Sequence, residues 1–587
     1  MQREGLSLNG KWAYIVDPYD NGFFDYRLRA FDRMDPVAGG YAQDRKWTEE
    51  NASELIEYSF VDAHSLNVPA DWNSQKPELF YYEGTVWYQK TFEAPTDRAG
   101  KRFLLHFGGA NYETDVYLNS RKLGRHIGGF TPFQFDVTNR LHEGSNTLVI
   151  RVNNKRLKEG VPTVNTDWWN YGGITREVRL LELPETYIAD YSIQLASSTS
   201  DDLEFSIDLD GSQPQQEVSV SIPELNIETV LQTDQDGFAT ARFSPSNLER
   251  WTPDKPRLYS VGLKVGSEHL KPRIGFRSIE TRGREILLNG QPIFLRGICI
   301  HEENPLRGGR AAIEEDARLL LAWAKELGCN FARLAHYPHN EHMARLADEM
   351  GILLWEEIPV YWTIDWENAD TLANARQQLT ELIERDKNRA SVIVWSVANE
   401  TPPSEQRTRF LRTLVDQARE LDDTRLISAA LEVHGDPQYP GYTVMNDPFG
   451  AFTDIVSFNQ YQGWYGPATP DQLTDVKWKI LSEKPVFISE FGGGALSGFH
   501  GPKTTRFTEE YQAWLYEETL PMLERIEGLS GMSPWILVDF RSPRRALHGI
   551  QDGWNRKGLI GDQGAQKQAF DVVKRYYEKK SEEYENR

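Results

Sequence analysis

The chain has 587 residues and a mass of 67.4 kDa, which requires about three to four domains rather than one core. With 87 Asp+Glu against 65 Lys+Arg the net charge is -22, which repels phosphate backbones and anionic membrane surfaces and excludes a general nucleic-acid binder. Its 17 Trp, 25 Tyr and 27 Phe exclude a disordered chain, and two Cys exclude a disulfide scaffold.

Residues 1–185 read as all-β. Thr85-Val86-Trp87-Tyr88-Gln89-Lys90-Thr91-Phe92, Arg102 to Phe107 and Thr147 to Val152 alternate or run with β-branched and aromatic residues between Gly- and Asn-rich turns, the pattern of a jelly-roll sandwich. A polar insert at 20–51 interrupts it; a solvated loop is expected, with an oligomer contact or a remote subsite as alternatives. Residues 186–277 carry shorter strands such as Leu203-Glu204-Phe205-Ser206-Ile207, fitting an immunoglobulin-like β-sandwich. From 278 to 587 apolar strands alternate with helical segments. Eight strands are expected near 293–300, 330–335, 352–356, 392–399, 425–431, 454–461, 485–490 and 532–539, with helices at 312–327, 369–388, 405–421 and 508–528 and an irregular stretch between strands five and six. That is the pattern of a C-terminal (β/α)8 barrel, a TIM barrel, whose chemistry belongs at the C-terminal ends of its strands. No stretch approaches the roughly twenty apolar residues of a membrane span, so no membrane insertion is expected. Met1-Gln2-Arg3-Glu4-Gly5 has no apolar signal region, but because signal peptides are cleaved from mature chains this does not decide between cytoplasm and periplasm or secretion.

Two strand ends share a peculiarity. Val392 to Asn399 runs apolar and stops at Glu400; Val486-Phe487-Ile488-Ser489 does the same at Glu490. Burying a carboxylate is costly without a partner or a task. Either Glu alone reads equally well as a salt-bridged rim residue, but the matched pair suits glycosidic bond hydrolysis, one group protonating the leaving oxygen and the other attacking the anomeric carbon, with no cofactor and no metal.

Asn399-Glu400 after an apolar strand, Ser489-Glu490-Phe491-Gly492, Asn170-Tyr171-Gly172-Gly173-Ile174 and Gly297-Ile298-Cys299-Ile300-His301 together give a chain that resembles glycoside hydrolase family 2 over nearly all its length. The resemblance implies a retaining exo-β-glycosidase with Glu400 as acid/base, Glu490 as nucleophile and Asn399 on the sugar 2-hydroxyl. Within the family the sequence resembles the β-glucuronidases. That likeness implies a uronate clamp at Asn555 and Lys557, contacts from Asn459, Tyr461, Tyr465 and His336, a sugar platform at Trp535 on the eighth strand, and Asp167 reaching in from the first domain. The substrate implied is a β-uronide, small or oligosaccharide, and a homo-oligomer is compatible with it.

One departure bears on specificity: Gln551 stands where the well-known β-glucuronidases have an Arg. Arg541, Arg544 and Arg545 lie upstream as substitutes, and a β-galacturonidase or β-galactosidase using the same carboxylates is the alternative. A silent carbohydrate-binding protein is the rival from another class. His336, His339 and His342 have His-x2-His-x2-His spacing, but Pro338 opposes a common helix face and a surface loop is expected. Nucleotide-binding loops and a nucleophilic serine elbow are missing from the sequence.

Overall fold

The computed structural model describes residues 3, 5–43, 57–211 and 213–585. The first domain packs two antiparallel sheets face to face. A six-stranded sheet has the order Ser65–Val68, Gly10–Asp17, Thr85–Glu93, Ser145–Asn153, Glu113–Leu118 and Arg121–Ile127; a four-stranded one is centred on Val178–Pro184 and Lys101–Phe107. The period-2 alternation of Thr85–Glu93 sends Val86 and Tyr88 into the sandwich core and Trp87 to the opposite face. That outer face is covered by the insert. Phe23, Val37 and Ala42 are buried against Trp87, Tyr117 and Val149. The expected solvated loop is therefore a packed lobe over its described part, because an aromatic on the second face of a sheet needs cover; residues 44–51 of the insert lie outside the described residues.

The second domain is a small sandwich of Tyr187–Leu195, Leu203–Asp210 and Phe238–Phe243 against Ile227–Gln232, Glu217–Ile222, Gly262–Val265 and Glu268–Leu270. Leu203, Phe205, Ile207 and Leu209 point inward while the residues between them face out.

Eight parallel strands form the barrel: β1 in two pieces, Leu295–Arg296 and Cys299–Ile300, then β2 Phe331–Leu334, β3 Leu353–Glu357, β4 Val392–Asn399, β5 Leu426–Leu431, β6 Val456–Asn459, β7 Val486–Glu490 and β8 Leu529–Met532. The first piece of β1 pairs with β8 through Leu295↔Gly531 and the second with β2 through Ile300↔Leu334, so the split strand closes the ring. Gly297 sits at the split. A Cβ there would lie 2.7 Å from the Met532 carbonyl oxygen, and only glycine allows β1 and β8 to approach so closely.

The helices are α1 Glu314–Glu326, α2 Glu341–Met350, α3 Ala369–Asp386, α4 Glu405–Leu421, α5 Glu509–Glu524 and α6 Gln568–Glu585. Asn340, Asn368, Ser404 and Thr508 cap α2 to α5 by accepting backbone N–H bonds. As expected, the β5–β6 connection is irregular, with short strands and the 3-10 turn Pro448–Ala451. Two further expectations fail. The eighth strand is Leu529–Met532, not 532–539: Pro534 cannot donate to a ladder, and beyond it Trp535 and Ile536 are buried in an aromatic cluster with Trp168 and Tyr337 while Leu537 and Val538 join the main barrel core. His336 and His339 are fully buried rather than on a surface loop, and His342 lies in the first turn of α2. Among the described residues no helix is long and apolar enough to cross a membrane.

Candidate active site

The C-terminal rim of the barrel gathers the carboxylates. Glu490 ends β7 with 4% exposure. Its Oε1 accepts from Arg333 Nη1 at 2.6 Å and its Oε2 from Tyr461 Oη at 2.7 Å. Glu400 follows β4 in the left-handed region, φ 49°, and its amide donates to the Ala430 carbonyl at 2.8 Å. Its Oε2 accepts from Trp362 Nε1 at 2.8 Å and its Oε1 from Asn459 Nδ2 at 2.9 Å. Burial and then the charge of Glu490 push Glu400 up to about 7, against the two hydrogen bonds that pull it down.

A buried polar lattice joins the two. Arg333, on β2 and fully buried, donates to Glu490, to Glu357 Oε1 at 2.8 Å and to Asn399 Oδ1 at 2.8 Å. Burial opposes its charge, but Glu357 and Glu490 outweigh that and hold the guanidinium well above its ordinary value. Glu357 also accepts from Trp355 Nε1 and Ser396 Oγ at 2.9 and 3.1 Å. Burial would raise its pKa, yet Arg333 and His336 hold it below the usual carboxylate value. Asn459 donates to Asn399 Oδ1 at 3.3 Å and accepts from Ser489 Oγ at 2.7 Å. The Asn399 Nδ2 has no partner within the protein, so a buried amide donor stands available beside both carboxylates. His336 places Nε2 3.7 Å from Glu490 Oε1 and stacks on Trp535, ring centroids 4.8 Å apart. Trp535 lies three residues past the end of β8 rather than on it.

A second group stands at the rim on the hairpin of Phe540–Arg541 with Trp554–Asn555, well beyond β8. Lys557 is 4% exposed and donates to Tyr465 Oη at 2.6 Å, and no carboxylate among the described residues pairs with it. Arg545 donates from Nη1 to the same phenol oxygen at 3.2 Å. Asp167, from the first domain, ion-pairs with Arg545 and accepts from Ser542 Oγ at 2.6 Å and from Asn555 Nδ2 at 3.3 Å. Burial would raise the Tyr465 phenol, but the Lys557 and Arg545 charges outweigh it and hold it below its ordinary value. Burial pulls the Lys557 ammonium down.

The structure thus brings the catalytic candidates together with Asn399, Asn459, Tyr461, His336 and Trp535, and sets Asp167, Tyr465, Asn555 and Lys557 beside them through the Tyr461–Tyr465 contact, 5.2 Å between centroids. Arg541 is turned away, 3.9 Å over Trp554, and Gln551 sits in a turn where its Oε1 accepts from the Leu547 amide at 3.4 Å. Three neighbours were not expected from sequence: Arg333, Glu357 and Trp362. The first two carried the same signal as Glu400 and Glu490, a charge in or ending an apolar strand.

The sequence matches the glycosyl hydrolases family 2 sugar binding domain over residues 6–184, the glycosyl hydrolases family 2 domain over 186–277 and the family 2 TIM barrel domain over 279–580. A β-glucuronidase of Paenibacillus borealis is 28% identical, the match covering 98% of this chain and 97% of that protein; one of Streptococcus agalactiae is 28% identical over 90% and 94%. Among solved structures, a β-glucuronidase from an uncultured Clostridium species superposes with a TM-score of 0.81 at 26% identity, covering 98% of each chain. A β-galacturonidase of Eisenbergiella tayi bound to galacturonate superposes with a TM-score of 0.79 at 24% identity, over 98% and 97%.

Proposed function

Because the chain belongs to glycoside hydrolase family 2, we propose that its site hydrolyses terminal β-D-glucuronides by double displacement, with Glu490 as nucleophile and Glu400 as acid/base. In the first step a Glu490 oxygen bonds to the anomeric carbon while the glycosidic C–O bond breaks and Glu400 gives its proton to the leaving oxygen. In the second, water attacks the anomeric carbon, its proton passes to Glu400, and the ester bond to Glu490 breaks; two inversions retain configuration. The partners support these roles: Glu490 accepts from a guanidinium, Arg333, as well as from Tyr461, whereas Glu400 accepts from the neutral donors Trp362 and Asn459. Glu400, raised to about 7, starts protonated and returns to a base once the charge of Glu490 is consumed in the ester.

The observation that carries the substrate class is Lys557: a buried ammonium that donates to the Tyr465 phenol and, among the described residues, has no carboxylate at ion-pair distance, Asp167 being engaged by Arg545, is short of the anion its burial demands. A C6 carboxylate beside Tyr465 Oη would meet the ammonium, the Arg545 guanidinium and the phenolic O–H together. Arg545 then supplies the second cation that Gln551 does not. The similarity to β-glucuronidases and the resemblance of Asn555 and Lys557 to their uronate clamp support glucuronate. The clamp itself reads the carboxylate and not the direction of the 4-hydroxyl, so β-galacturonide is the second reading. Rates on matched 4-nitrophenyl β-D-glucuronide, β-D-galacturonide and β-D-galactoside decide: glucuronide is expected to lead, galactoside to be poorest, and a leading galactoside would overturn the uronide reading.

A further inference from the structure

Resting on the assignment of Glu400 as acid/base, we infer that Trp362 is a positioning residue that fixes the Glu400 carboxyl and tunes the pH range over which it gives and retakes its proton. The backbone puts it there. Beyond β3 the chain continues the barrel wall for one more turn of pairing: Asn399 N donates to the Val360 carbonyl and Trp362 N to the Asn399 carbonyl, both at 2.9 Å, and Tyr361 bridges Asn399 in parallel register. Register therefore sets Trp362 beside Glu400, one residue past the strand end. Trp362 holds φ 55°, a conformation an L-residue with a bulky side chain adopts only when its surroundings dictate it.

The chemistry of the contact is one-sided. An indole N–H donates and never accepts, so the 2.8 Å bond to Oε2 favours the carboxylate that Glu400 becomes as the leaving group departs. Arg544 lies 4.8 Å from the outer face of the same indole, where a cation strengthens the N–H as a donor. Glu400 also faces Asn459 from β6, Glu490 from β7, Glu432 after β5 and Tyr461 after β6. The first two carboxylates in that set, Glu490 and Glu432, favour the protonated form; Trp362 and Asn459 oppose them. Trp362 supplies one of the two direct hydrogen bonds that keep the proton exchangeable near neutral pH.

Trp362→Phe keeps a ring against Tyr361 and removes the donor. The basic limb of the kcat/KM profile should move up by about one pH unit. At pH 5 to 6, kcat should fall as the glycosyl-enzyme waits for a base, seen as a pre-steady-state burst of 4-nitrophenol. Arg544→Met should move the limb the same way by less. A role in packing alone would lower rates at every pH and leave the limb in place, and that result in Trp362→Phe overturns the inference; should that variant not fold, an unmoved limb in Arg544→Met does so. The underlying assignment is tested separately. Glu400→Gln should lose substrates with poor leaving groups far more than activated aryl glycosides and be rescued on the latter by azide; unaltered turnover of both would remove Glu400 from its role, whatever Trp362 does.

Discussion

Replacing Lys557 with Met removes one charge while keeping most of the side-chain volume, and the structure fixes what should follow. The ammonium is 4% exposed, donates to Tyr465 Oη at 2.6 Å and has no acidic partner among the described residues, so a substrate carboxylate is its natural counterion. A charge-assisted hydrogen bond in such a place is worth about 1.5 to 3 kcal/mol. At about 1.4 kcal/mol per tenfold, kcat/KM for a β-glucuronide should fall by roughly 10- to 150-fold. The neutral galactoside, which never used the charge, should change by less than about threefold or improve, since burying an unpaired ammonium beside an uncharged sugar is unfavourable. The assay is the ratio of the two specificity constants on 4-nitrophenyl substrates, so that loss of folded protein cancels. Equal losses on both sugars, or intact glucuronide turnover, would refute the clamp.

Other outcomes follow from the same contacts. With Glu400 raised to about 7, it is the acid below that pH and loses its proton above it, so kcat/KM should decline on the alkaline side with a midpoint near 7. Glu490→Gln should abolish turnover and lower the Glu400 pKa, readable by titrating the carboxyl by NMR, because the neighbouring negative charge that raises it is removed while burial remains. Arg333→Met would take from the buried Glu357 and Glu490 the guanidinium they share, and should cost about 3 to 5 kcal/mol of stability in denaturant melts as well as activity; a variant as stable as the parent would show that the lattice is not held by that guanidinium.

Much of the site was legible because burial leaves a mark in sequence. The apolar runs of β4 and β7 stop at a carboxylate, and no periodicity argument is needed to see that Glu400 and Glu490 end them. The same rule misled at Met532 to Asp539. Those residues are buried, but Trp535 and Ile536 lie in an aromatic cluster with Trp168 and Tyr337 while Leu537 and Val538 join the main barrel core, and an apolar run says that a segment is covered without saying by what. The insert was misread for the converse reason. Phe23, Val37 and Ala42 are spaced too widely to look like an element, and only the outer face of the sheet, at Trp87 and Tyr117, gives them somewhere to go. Trp362 was hidden because its place beside Glu400 comes from register across two strands, a long-range fact with no local signature. Arg545 could be named only as one of three nearby arginines; its choice depends on Asp167, 378 residues earlier in the chain.

That last contact divides the labour between domains in a way that matters for rebuilding the molecule. The barrel alone would own both carboxylates proposed to break the glycosidic bond, yet the arginine proposed to steady a uronate is itself held by a residue the barrel does not own. Chimeras that exchange the first domain between relatives would therefore carry sugar preference across with it, without touching either carboxylate. An evolving lineage could change what it eats by drift in a loop of the neighbouring sandwich, leaving its chemistry undisturbed.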